Sequence, residues 1–180
     1  MTVHDIFARI NNHMVEGVMF HDSLSELFGF LGLKGYQAEH ECHALGEYEK
    51  RRELIDCYIS YYNKILPEIH AEKREAAPSG WVNYERIAVD EGTKKRAVRD
   101  AIKKWHEWER ETVELYAESY RELVDLGELY MASRVEELAC DAAHEMKRAS
   151  ERLLTLETVS YDIMTICGEQ DKIHEKYKKH

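Results

Sequence analysis

The sequence predicts an all-α protein, a bundle of four long amphipathic helices. Three observations carry this. Helix breakers are scarce, with 9 glycines and 2 prolines in 180 residues, and these are the residues that cost a helix interior most. Apolar residues recur three and four apart over long stretches, the spacing that gathers them on one helical face. Charged residues make up 33% of the chain, enough to wet the outer faces of helices whose inner faces pack together. The length fits one domain covering residues 1–180.

The first helix is expected from Thr2 or His4 to Leu31, with Ile6, Ile10, Met14, Val18, Leu24, Leu27, Phe28 and Leu31 as its apolar line. Gly32 and Gly35 suit its cap and a tight turn. The second runs from about Tyr36 to Leu66 on a line of Leu45, Tyr48, Ile55, Ile59, Tyr62 and Leu66, and Pro67 marks its end. Residues 67–92 hold both prolines and two glycines. That is long for a connection between neighbouring helices, and a short helix near Trp81 to Val89 is one way to fill it. The third helix starts near Thr93, with Asp90 and Thr93 as cap candidates. Its line is Val98, Ala101, Ile102, Trp105, Trp108, Thr112, Tyr116, Leu123 and Val124, and Gly127 ends it. The fourth takes Glu128 to about Lys178, too long for one straight rod, so a break is expected between Leu156 and Gly168.

Two short turns make two antiparallel hairpins. The long second-to-third connection decides their relation. It is long enough to run back along a bundle of roughly 45 Å, the length of a 30-residue helix, which gives a single-crossover topology. If it folds on itself, simple up-and-down order remains.

A formal charge of −10 argues against a nonspecific nucleic-acid surface, which needs a basic face, and favours a cationic partner such as a metal. Cys42, Cys57, Cys140 and Cys167 form no Cys-x-x-Cys pair and read as buried, reduced thiols. The amino-terminal stretch lacks a basic head followed by an apolar run, and no stretch approaches the roughly 20 apolar residues of a membrane span. A cytoplasmic protein without membrane or nucleic-acid partners is the expectation.

The chemistry that a bundle interior can carry is metal binding. Carboxylates bridge hard cations and imidazoles complete them, and a spacing of three puts two ligands on one face about a turn apart. No histidine has a glutamate three residues before it. The relaxed forms are Asp141-x-x-His144 and Asp171-x-x-His174, while the second helix offers His40-x-x-His43 with Glu47 a turn further on. Glu109 falls on the line from Trp105 to Thr112, where a carboxylate is costly unless paired or metal-bound. His21 sits between Gly17 and Leu24 on an inward face, either as a satisfied core histidine or as a ligand. The candidate ligands for iron, manganese or zinc are therefore His21, His40, Glu47, Glu109 and His174. His43 reads as a surface residue and Asp141 with His144 as a solvated pair. His174 is placed inward on a line of Ile163, Cys167, Gln170, His174 and Tyr177. In the crossover topology His21, His40, Glu47 and His174 share one half of the bundle. Phosphate loops, zinc-type cysteine spacing and a Gly-x-Ser-x-Gly elbow are all missing, so no catalytic residue is assigned. Tyr58, Tyr61 and Tyr62 go round the second helix, which leaves aromatic surface for a partner or for a homodimer or larger homo-oligomer.

The stretches MFHDSLSELFGFLGLKGYQAEHE, YEKRRELIDCYISYYNKIL, WHEWERET and YDIMTICGEQDKIHEKYK together resemble a group of small helical proteins of Gram-positive bacteria and their phages. That group is similar to ferritin-like bundles. The resemblance covers nearly the whole chain and implies a ferritin-like four-helix fold, without a known chemistry. The chain departs from ferritin's iron-site pattern, since the second helix lacks Glu-x-x-His and the fourth has Asp in place of Glu. Two functional readings follow: a ferritin-like bundle holding a metal ion between helices, or a metal-free helical interaction module.

Overall fold

The computed structural model describes residues 2–66, 69–71, 85 and 89–177. Five helices follow one another: α1 (Val3–Phe30), α2 (Lys34–Tyr62), α3 (Glu91–Asp125), α4 (Leu129–Thr158) and α5 (Ile163–Tyr177). α1 opens on a capping box in which the Thr2 hydroxyl accepts from the Asp5 amide and the Asp5 carboxylate accepts from the Thr2 amide. α3 opens on Asp90, which accepts from the Thr93 amide.

The two hairpin turns are built alike. Gly32 (φ 76°) and Gly127 (φ 77°) take the left-handed position just past α1 and α3. The following amides reach back to Phe28 and Leu123, at 2.8 Å and 2.9 Å. This is the six-to-one closure that satisfies orphan carbonyls at a helix end. α4 ends the same way without glycine. Ser160 and Tyr161 both have positive φ, and the Tyr161 amide donates to Leu156 O at 2.8 Å. The expected break in the fourth helix therefore falls at residues 159–162. α2 stops at Asn63 in the left-handed region (φ 51°), short of the expected Leu66. Asn tolerates that conformation better than most residues. Pro67 and most of the stretch from Trp81 to Val89 lie outside the described residues.

Contacts between helices fix the topology. On α1 and α3, His13 meets Thr112 and His21 meets Glu109, while Arg9 reaches Glu122. Numbers rise on one helix as they fall on the other, so α1 and α3 are antiparallel. α2 and α4 run the same way, through Tyr62–Glu128, Lys50–Asp141 and Glu39–Arg152. The end of α2 and the start of α3 thus lie at opposite ends of the bundle, the single-crossover arrangement.

Apolar residues pack in two clusters. One gathers Phe20 to Tyr36, Ala97 to Trp108, Ala149, Leu156, Ile166 and Ile173. The other gathers Ile6 to Met14, Leu54, Tyr58, Tyr116, Leu123 and Met131 to Ala142. Between them every helix of the bundle is polar where it faces inward, with His40, His43 and Glu47 on α2, Glu109 and Thr112 on α3, and Glu145 on α4. His21 on α1 closes this layer.

Several expectations fail on α2 and α5. Leu45, Tyr48 and Ile59 are exposed, because α2 turns inward along Tyr36, Glu39, His40, Ala44, Leu54 and Tyr58 instead. Of the line expected on α5, Ile163 and Tyr177 pack partly buried against the core, but the buried residues are Ile166 and Ile173, one position away from Cys167 and His174. Cys42 and Cys140 are exposed, and none of the four thiols is paired. On α3, Val124 is on the exposed side.

Candidate metal centre

The polar layer centres on three imidazoles. His21 and His40 are 2% and 0% exposed, and the His43 side chain is 8% exposed. One potential ligand atom from each lies within 4.8 Å of the others. α2 supplies two of the three by the geometry of a helical turn, because residues three apart share a face. α1 supplies the third across the hairpin. The Nδ1 atoms of His21 and His40 are 3.1 Å apart and share a proton donor–acceptor pair. The Nε2 atoms of His40 and His43 have no hydrogen-bond partner among the described residues. Buried polar atoms normally find partners, so a nitrogen without a hydrogen bond on each of two rings of this cluster needs an explanation.

The surroundings hold the rings in place. Phe28 stacks on His40 at 5.4 Å between centroids, and the edge of Trp105 meets His40 at 5.0 Å and His43 at 5.7 Å. Glu109 (4% exposed) enters from α3. Its Oε1 accepts from Trp105 Nε1 at 2.8 Å and lies 3.6 Å from His21 Nε2. Glu145 on α4 approaches His43 Nε2 to 3.5 Å. A cavity of about 340 Å³ reaches this layer, lined on the inside by His21, His43, Glu47 and Glu109 and toward solvent by Lys50, Glu145, Arg148, Lys176 and Tyr177.

Burial decides the protonation states. It pushes His21 and His40 well below the usual imidazole range, and the neighbouring imidazoles add to this. His43 is lowered for the same reason, against the pull of Glu145. Burial also pushes Glu109 up to about 8. The Trp105 hydrogen bond opposes this and repulsion from Glu47 and Glu145 adds to it. Burial likewise raises Glu47. At neutral pH the layer thus holds three neutral imidazoles and a protonated Glu109. Neutral imidazole is the form that ligates a metal.

The structure brings His21, His40, Glu47 and Glu109 to one place. It does not bring His174, whose backbone sits on α5 against Gly35 and which is absent from the cavity lining. The expected break is there, at 159–162, and past it the face that packs on the core carries Ile166 and Ile173, one position away from Cys167 and His174. His43 is no surface residue but part of the cluster. His144 is exposed, as expected, and Asp141 pairs with Lys50 instead of with it. Sequence reasoning also missed Glu145. For His43 the signal is its i, i+3 spacing from His40, set against an apolar line that α2 does not use.

The helix order and crossover topology are those of a ferritin-like four-helix bundle. A search of solved structures finds an open-pore ferritin from the hyperthermophilic archaeon Archaeoglobus fulgidus, at 13% identity over 95% of this chain and 94% of that one, with a TM-score of 0.77. An engineered closed form of the A. fulgidus ferritin matches at 13% identity, over 96% of each chain with a TM-score of 0.76. A humanized archaeal ferritin matches at 12%, again over 96% of each with a TM-score of 0.76. At such identities the likeness is one of fold. No family model and no curated protein matches the chain, so the group from Gram-positive bacteria and phages gains no support from these comparisons.

Proposed function

We propose that this ferritin-like bundle binds one transition-metal ion between its helices, with His21, His40 and His43 as imidazole ligands and Glu109 as the carboxylate. The observation that supports the reading most is the convergence of three buried imidazoles, two with an unpartnered nitrogen, in a layer sealed above and below by apolar packing. The ferritin-like likeness makes iron a natural candidate. The donor set itself favours zinc or iron over manganese, since imidazole suits the former and carboxylate-rich sites the latter.

The residues fit one ion better than a bridged pair. Two-metal bundles of this kind use a Glu from each of two helices and Glu-x-x-His from each of the other two. Here α1 presents His21 and α2 presents His40-x-x-His43, and a neutral imidazole cannot bridge as a carboxylate does. The bound ion would supply Lewis-acid or one-electron chemistry. The chain's own part is plainer. Trp105 orients Glu109, Phe28 and Trp105 fix the His40 ring, the apolar clusters exclude water, and Glu47 places a second carboxyl in the cavity. His174 has no part in the ligand set.

Elemental mass spectrometry on protein purified without a metal-affinity tag, then dialysed against iron, manganese or zinc, tests this. About one equivalent should remain with the wild type and be lost in His40→Ala and His43→Ala. Retention of no metal by the wild type contradicts the reading.

A second reading is favoured by one observation. Leu45 and Tyr48 are 57% and 49% exposed, and with Ile59 they form an outward stripe along α2. Exposed apolar surface at helical spacing is what a self-associating face presents. We infer a homo-oligomer, cytoplasmic given its unpaired cysteines. Light scattering should give a mass of at least two chains, and a Leu45→Glu, Ile59→Glu double variant should be smaller. A monomeric wild type overturns it.

A further inference from the structure

α5 is held on the bundle by a short apolar face and by polar contacts that converge on one largely buried guanidinium. Arg152 on α4, with a side chain 11% exposed, places Nε 2.8 Å from Glu169 on α5. Its NH groups donate to both carboxylate oxygens of Glu39 at 2.9 Å and 3.3 Å. The Tyr36 hydroxyl donates to Glu169 at 2.7 Å, and the Gly35 amide donates to the Gln170 side chain at 2.9 Å. The apolar face is Ile166 and Ile173, both buried, with Ile163 and Tyr177 partly buried against the same cluster.

The same guanidinium touches the histidine layer from two sides. Glu39 is the residue before His40. Arg152 also lies over the Trp105 ring at 5.7 Å, and Trp105 holds Glu109. The far end of α5 carries Lys176 and Tyr177, which form one wall of the cavity leading to His43. Its near end joins α4 at Ser160 and Tyr161, two consecutive non-glycine residues with φ of 50° and 54°. The turn between the two helices is an element-terminal joint of the kind that absorbs backbone rotation, and the buried Tyr161 anchors it in the apolar cluster.

We propose that α5 is a gate over the histidine cavity, pivoting at residues 159–162 and latched by Glu169 on Arg152 and Tyr36. The inference rests on the cavity being the functional site, not on which metal fills it. When Glu169 lets go, Lys176 and Tyr177 swing away and the cavity opens. Arg152 stays paired with Glu39, so the layer itself remains built. Ions or small ligands then pass without unpacking the four main helices.

Glu169→Gln weakens the charged latch, and Tyr36→Phe removes one hydroxyl while keeping the ring under Arg152. The experiment uses metal-free protein. Hydrogen exchange reports the α5 amides, and peptide mapping reports the rate at which diethylpyrocarbonate modifies His43, with His13 as internal reference. Loss of one charge-assisted hydrogen bond raises the open population about tenfold. The expected result is a rise of that order in α5 exchange and in His43 modification for Glu169→Gln, a smaller rise for Tyr36→Phe, and an unchanged rate at His13. An unchanged His43 rate overturns the gate, whether or not α5 exchange changes, and so does an equal rise at His13. Metal retention is measured separately, so failure of the metal reading and failure of the gate are told apart.

Discussion

Glu109 is the residue with the clearest energetic signature. In the fold it keeps its proton up to about pH 8, against an ordinary value of 4.5. As pH rises from 4.5 toward 8, the unfolded chain releases that proton and the folded one holds it. By linkage, stability falls across this window. Glu109→Gln removes the penalty, and its amide oxygen still accepts from Trp105. Urea unfolding of the metal-free variant should show a gain on the order of 3 kcal/mol near pH 7 and almost none near pH 4. A loss at pH 7 would contradict the assignment. The histidines act on the other limb. His21 and His40 are held well below 6.5, so their contribution is complete above 6.5 and is lost as pH falls below it toward their folded values. Metal-free protein should therefore lose stability with acid below about pH 6.5, and His40→Gln should flatten that slope. Metal must also displace the Glu109 proton. Calorimetry of zinc binding at neutral pH in buffers of different ionisation enthalpy should show about one proton released, whereas none released would leave Glu109 outside the ligand set.

At the scale of elements, α1, α3 and the first part of the fourth helix were legible because their inner faces are apolar at helical spacing. Both hairpin turns were legible because glycine supplies the left-handed residue they need. α2 was not. Its inner face carries Glu39, His40, His43 and Glu47 where an ordinary helix carries leucine, so the apolar residues that remain, Leu45, Tyr48 and Ile59, mark the outside. The line of greatest hydrophobicity pointed away from the core because the core there is polar, and the same inversion hid His43. On α5 the two candidate faces differ by one position: Ile163 and Tyr177 lie on the line through His174, but the buried isoleucines, Ile166 and Ile173, lie on its neighbour. Gly35 records where α5 crosses, since a Cβ there would lie 1.8 Å from Gln170 O. Gly35→Ala should cost about 2–3 kcal/mol and release α5 to protease ahead of global unfolding. A variant as stable and as resistant as the wild type would mean that α5 does not pack so closely.

Over the whole molecule, the crossover topology is what makes a shared site. It sets α1 antiparallel to α3 and α2 antiparallel to α4, so that residues near 21, 40, 109 and 145 meet at one level between two apolar clusters. The length of the connection pointed to this arrangement, but only the pairing of helices selects it over up-and-down order. Three of the four helices then bring imidazole or carboxyl groups to one buried layer, and the fourth brings Glu145 to its rim. The most direct measurement of metal binding in this layer is anomalous diffraction from a crystal soaked in zinc or iron. A peak bonded to nitrogens of His21, His40 and His43 at about 2.0–2.2 Å, with the Glu109 carboxylate in the same sphere, is the expected result. Diffraction that shows the three rings ordered as here, with the soaked ion only on surface carboxylates, would contradict it.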